Sequence, residues 1–126
     1  MIKGVEHIAV FSKDSKALCD WYVNVLGFTV VYNNGKGTYF VAMEDKMMIE
    51  ICKAEEDGGA FWEKTAGIRH IAFTCDDFEK TVEELKAKNV EIVADVSVSG
   101  SGVKTFFFKD LDGNIHHLIA RPKPLI

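Results

Sequence analysis

Four residues of the chain have the types and places to hold a divalent metal: His7, Glu50, His70 and His117. Imidazole nitrogen and carboxylate oxygen both bind such ions, at about 2.0–2.2 Å for zinc. Imidazole suits zinc, nickel, copper and iron, whereas oxygen donors shift preference toward manganese or magnesium. The four come as two pairs. His7 precedes Glu50 by 43 residues, and His70 precedes His117 by 47. A buried carboxylate is costly unless partnered, and a shared cation would partner Glu50. Each residue also has a plainer reading. A single histidine is more often a hydrogen-bonded core or surface residue than a ligand, and Glu50 alone could be an outward charge on an edge strand. It is the matched placement of the four that favours a metal.

That placement comes from a repeat. Gly67-Ile68-Arg69-His70-Ile71-Ala72-Phe73 repeats Gly4-Val5-Glu6-His7-Ile8-Ala9-Val10 at an offset of 63 residues, with Gly, His and Ala in register. A repeat of half the chain implies two like modules. In the first, residues 3–11 read as a strand apolar on both faces, and therefore covered on both. Asp14 caps a helix over 15–26, where Leu18, Trp21, Tyr22 and Val25 make one apolar stripe, and Gly27 ends it. Strands over 28–33 and 38–43 flank the turn Asn33-Asn34-Gly35-Lys36-Gly37, and a last strand covers 47–52.

The second module repeats the order. A strand over 67–75 leads to a helix opening at Asp76 or Asp77, with Asp76 and Glu79 spaced as a capping box. Phe78, Val82 and Leu85 form its stripe and Asn89 ends it. Strands over 90–98, 103–109 and 115–120 follow, the last two joined by the turn signal Asp110-Leu111-Asp112-Gly113-Asn114. The expected fold is α+β, a single domain of two βαβββ modules (about 1–53 and 67–121) joined by a linker at about 54–66.

Strand alternation puts Glu50 on one face with Met48 and Cys52, and His117 on one face with Ile115 and Ile119. Each module thus carries one metal-competent residue on its first strand and one on its last. If pseudo-twofold packing brings the two concave faces together, the four converge. His116 falls on the opposite face, where it packs against the helix or supports a ligand. Cys52 has no metal-type spacing and reads as packing. Phe106-Phe107-Phe108 should divide between core and pocket.

Composition narrows the function classes. The chain has 126 residues, 48% apolar and 27% charged, with a formal net charge of −4. That balance is globular, and no clustered basic face suggests nucleic acid. No apolar run approaches the roughly 20 residues of a membrane span. Met1-Ile2-Lys3 enters a strand directly, and Cys19, Cys52 and Cys75 are an odd number without ligand spacing. The expectation is a cytoplasmic protein with reduced thiols, without a signal peptide, acting on a small molecule.

At these residues the chain resembles the vicinal oxygen chelate superfamily, which includes glyoxalase I, bleomycin resistance proteins, extradiol dioxygenases, fosfomycin-modifying enzymes and methylmalonyl-CoA epimerase. The resemblance rests on His-Ile-Ala at 7–9 and 70–72, on Trp21-Tyr22-Val23-Asn24-Val25-Leu26-Gly27-Phe28, and on Asp110-Leu111-Asp112-Gly113-Asn114. It implies paired βαβββ modules forming a cupped mixed sheet around a divalent metal, with zinc or nickel first and manganese, cobalt or iron as alternatives. It also implies a homodimer. The usual ligand set of glyoxalase-I-like members is His or Gln, Glu, His, Glu, and this chain departs from it at His117. Glu50 is then the sole ligand carboxylate and the candidate base, with His117 the other candidate. The implied activity is proton transfer or isomerisation on a small oxygen-chelating substrate such as a hemithioacetal. A drug- or metabolite-sequestering protein of the bleomycin-resistance type is the alternative from another class, and an epimerase or extradiol dioxygenase is a further one.

Overall fold

The computed structural model describes residues 1, 3, 5–56 and 68–126. Both glycines that open the repeat, Gly4 and Gly67, and most of the expected linker lie outside these residues. The chain divides into two compact units, Met1–Ala60 and Phe61–Ile126.

The first unit runs β1 (His7–Ser12), α1 (Ser15–Leu26), β2 (Thr29–Asn33), β3 (Tyr39–Ala42) and β4 (Met48–Lys53). Its sheet has the order β1-β4-β3-β2, with β1 parallel to β4 and the other pairs antiparallel. Helix α1 starts where the Asp14 carboxylate accepts from the Ala17 N–H at 3.0 Å. It stops at Gly27, whose φ of 74° is the left-handed conformation that lets the cap N–H return to Tyr22 and Val23 carbonyls. Leu18 and Tyr22 of the helix stripe and Val41, Ile49 and Ile51 of the sheet are fully buried. Ile49 and Ile51 therefore face the core, leaving Met48, Glu50 and Cys52 half-buried on the other face, as alternation requires.

The second unit repeats the plan with β5 (Ile71–Phe73), α2 (Phe78–Ala87), β6 (Glu91–Val98), β7 (Lys104–Lys109) and β8 (Ile115–Ala120), in the order β5-β8-β7-β6. Phe78, Val82 and Leu85 are buried, with Phe106, Phe108 and Leu118 from the sheet beside them in the core. This is the α+β fold of tandem βαβββ modules that the repeat implies.

Three local expectations change. The first strand begins at His7, not residue 3, and β5 is confined to Ile71–Phe73, so His70 lies just before its strand. The face of β1 that bears His7, Ala9 and Phe11 is exposed, not covered. The α2 cap is Asp77, whose carboxylate accepts from Lys80 N–H at 3.0 Å, so the expected box of Asp76 and Glu79 does not form. Asp77 sits one residue nearer the helix and its carboxylate reaches the free N–H first.

Candidate metal centre

The register of the first sheet places Ala9 of β1 and Phe40 of β3 on either side of Glu50. His7 stands two residues before Ala9 on β1, opposite Met48. Its Nε2 faces Glu50 Oε1 at 3.9 Å. That is too long for a hydrogen bond, yet within about twice a zinc–donor distance, so both atoms can reach one ion. The Phe40 ring meets the imidazole of His7 edge-on, with centroids 5.4 Å apart. On the far side of the ring, His7 Nδ1 lies 2.8 Å from Glu6 Oε1. With the proton on Nδ1, that nitrogen donates to the carboxylate and Nε2 keeps its lone pair.

Cys52 lies two residues beyond Glu50 on the same face. Burial raises its thiol pKa, and the charge of Glu50 and a hydrogen bond to it raise it further. The thiol therefore stays protonated at neutral pH and donates to Glu50, which is more specific than the packing role read from sequence.

The second unit carries the corresponding pair. His117 of β8 is opposite Ala72 of β5 and Phe107 of β7. The rings of His70 and His117 meet edge to face at 4.6 Å between centroids. Phe107 lies flat on His117, 4.4 Å away with planes 7° apart. Phe40 and Phe107 thus do like work in the two units, each crossing the strand pair from a candidate ligand. His117 is 5% exposed. Its Nδ1 lies 3.3 Å from the Leu118 carbonyl, which accepts from it and leaves Nε2 as the donor atom. Burial, and then the neighbouring His70, lower the His117 pKa, keeping the imidazole neutral as a metal requires.

His116 takes the opposite face, as alternation requires. It is buried, edge-on to Phe73 and Phe108, with Nε2 3.6 Å from Asp110 Oδ2. Asp110 in turn accepts from Asp112 N–H, Asn114 N–H and the Asn114 side-chain amide at 2.7–2.9 Å, which locks the turn that delivers β8. His116 and Asp110 belong to the framework under His117.

The structure therefore pairs His7 with Glu50 and His70 with His117, each pair within its own unit. Among the described residues, no group of three or more His, Cys, Asp or Glu side chains forms a metal-holding cluster. Sequence reasoning missed Glu6 and the Leu118 carbonyl. Alternation would send the neighbour of His7 to the other face, but β1 begins only at His7, so Glu6 escapes that rule. No helix among the described residues is long and apolar enough to cross a membrane.

The profile of the Glyoxalase/Bleomycin resistance protein/Dioxygenase superfamily matches residues 4–118. The uncharacterized protein YaeR of Escherichia coli (strain K12) is 30% identical over 122 residues, covering 89% of this chain and 92% of its own. A glyoxalase family protein from Enterococcus faecalis superposes with a TM-score of 0.78 at 24% identity, over 94% of this chain and 98% of its own. A mutant of FosX, a genomically encoded fosfomycin resistance protein from Listeria monocytogenes, superposes with a TM-score of 0.74 at 24% identity, over 96% of this chain and 92% of its own. That protein was solved with Mn(II) and 1S,2S-dihydroxypropylphosphonic acid. The two solved structures share the fold.

Proposed function

Because the chain belongs to the Glyoxalase/Bleomycin resistance protein/Dioxygenase superfamily, we propose that it is a divalent-metal enzyme of the glyoxalase type, acting on a small substrate with two adjacent oxygens. His7, Glu50, His70 and His117 are the proposed ligands. The observation that carries this reading is the His7–Glu50 pair: two donor atoms 3.9 Å apart, with the outer nitrogen of the histidine already engaged. When bound, the ion supplies Lewis acidity toward the substrate oxygens, which acidifies the adjoining C–H. Glu50, the one carboxylate of the set, takes the proton from that carbon, and the Cys52 thiol steadies its oxygen. His117, kept neutral by burial, is the alternative base when its Nε2 leaves the metal. Phe40 and Phe107 hold the imidazoles in their orientations and present apolar surface to the substrate's carbon skeleton. The metal in FosX supports a divalent ion, and the donor set of imidazole and carboxylate accepts zinc, nickel or manganese. The proposed assembly is a homodimer in the cytoplasm.

The test is metal analysis of protein purified without a histidine tag, followed by turnover of hemithioacetal, thioester and catechol panels. About one equivalent of metal, lost in Glu50→Gln together with turnover, supports the reading. Metal-independent binding of a panel compound without turnover would instead mark a sequestering protein.

A further inference from the structure

We infer that Glu6 is a positioning residue, which sets the tautomer and orientation of the His7 ring and so presents Nε2 as its donor atom. The inference rests on the metal reading only for its purpose, since the hydrogen bond exists without a metal. Glu6 Oε1 and His7 Nδ1 are 2.8 Å apart, within ordinary charge-assisted range, while Nε2 points toward Glu50. An unrestrained neutral imidazole prefers its proton on Nε2, the nitrogen needed here as a lone-pair donor. An acceptor at Nδ1 reverses that preference, and a carboxylate does so more strongly than a carbonyl because it carries full charge.

The carboxylate of Glu6 is 74% exposed, and an exposed pair of this kind is ordinarily weak. What holds it is the backbone. The Glu6 carbonyl accepts from Met48 N–H at 3.1 Å, which pins the residue to the start of β4, two positions before Glu50. Carboxylate and imidazole are sequence neighbours, so little further entropy is lost in bringing them together. The residue 63 positions on, beside His70, is Arg69, whose guanidinium cannot accept a hydrogen bond from an imidazole. His7 is thus backed by an anion, whereas the His117 ring is backed by the neutral Leu118 carbonyl. His7 becomes the more electron-rich of these two donors.

The test reads the tautomer directly in metal-free protein, by long-range proton–nitrogen correlation of the histidine rings above their titration range. In the wild type the His7 proton should sit on Nδ1. In Glu6→Ala it should move predominantly to Nε2, and in Glu6→Gln, whose amide oxygen still accepts, it should stay on Nδ1. Zinc affinity measured by competition should fall about ten- to hundredfold in Glu6→Ala and recover in Glu6→Gln. A His7 proton that remains on Nδ1 in Glu6→Ala overturns the inference, whatever the metal does. Failure of the metal reading is separate: His7→Ala would then bind zinc as tightly as wild type, while the tautomer result would stand on its own.

Discussion

His117 is where residue chemistry decides most, because an imidazole replaces the carboxylate usual in glyoxalase-I-like proteins. His117→Ala removes a proposed ligand, and zinc affinity should fall by more than the roughly hundredfold loss typical of a supporting residue. His117→Glu should retain metal and supply a second carboxylate base. If the alanine variant keeps a full equivalent of metal and loses only about 1–3 kcal/mol of stability, His117 is a core residue and the ligand assignment fails. The pH response has a definite sign. Burial first, and His70 second, lower the pKa of His117 in the folded protein. Above the ordinary histidine value both states are neutral and stability is complete. As pH falls below about 6.5 the unfolded chain takes up the proton first, so stability declines until the folded group protonates too. Urea titrations of metal-free protein should show this decline between neutral and mildly acidic pH, reduced in His117→Ala. Proton competition for metal at His117 should begin at a lower pH than for an ordinary imidazole.

At the scale of elements, the caps and turns that aim the site were largely visible as residue types. Gly27 reads as a helix stop, and it takes φ 74° with open space where a Cβ would stand. Gly27→Ala should therefore cost only the left-handed backbone, about 1–2 kcal/mol, read as a lower urea midpoint with an unchanged slope. The Asp110 turn was also legible, but its reach was not. Only the folded unit shows Asp110 buried against His116 while it accepts from Asp112 and Asn114. Asp110→Asn turns one acceptor into a donor facing the Asn114 amide and should cost about 1–3 kcal/mol. Because β8 starts from this turn, the same variant should weaken metal binding without touching a ligand. The start of α2 stays open between Asp76 and Asp77 in the sequence, because two adjacent aspartates offer two caps; the chain's path into the helix chooses Asp77, and the box of Asp76 and Glu79 is not used.

At the scale of the molecule, ligand linkage gives the broadest check. An ion that binds only the folded protein adds about 2.7 kcal/mol at a hundredfold excess over its Kd, so zinc or manganese should raise Tm by on the order of ten degrees and a chelator should reverse it. Of the four edge strands, β2 and β6 are exposed along their whole length, with Val30, Val31 and Tyr32 on one and Ile92, Val93, Val96 and Val98 on the other. Uncovered apolar edges invite pairing, which supports the proposed homodimer. Light scattering at micromolar concentration should give twice the chain mass, and a monomer mass throughout would remove that proposal.

The βαβββ order, the stripes that bury Leu18, Tyr22, Val82 and Leu85, and the faces of Glu50 and His117 are all legible in the order of residues. All of these follow from periods of 2 and 3.6 residues, which are local and survive in a one-dimensional string. Only the folded chain shows that Nδ1 is the engaged nitrogen of His7 and of His117, that Phe107 lies flat on His117, and that Glu6 turns toward His7. Those are facts of through-space distance and strand ends. A hydrogen bond of 2.8 Å between neighbours depends on where the extended backbone begins, and no residue type records that.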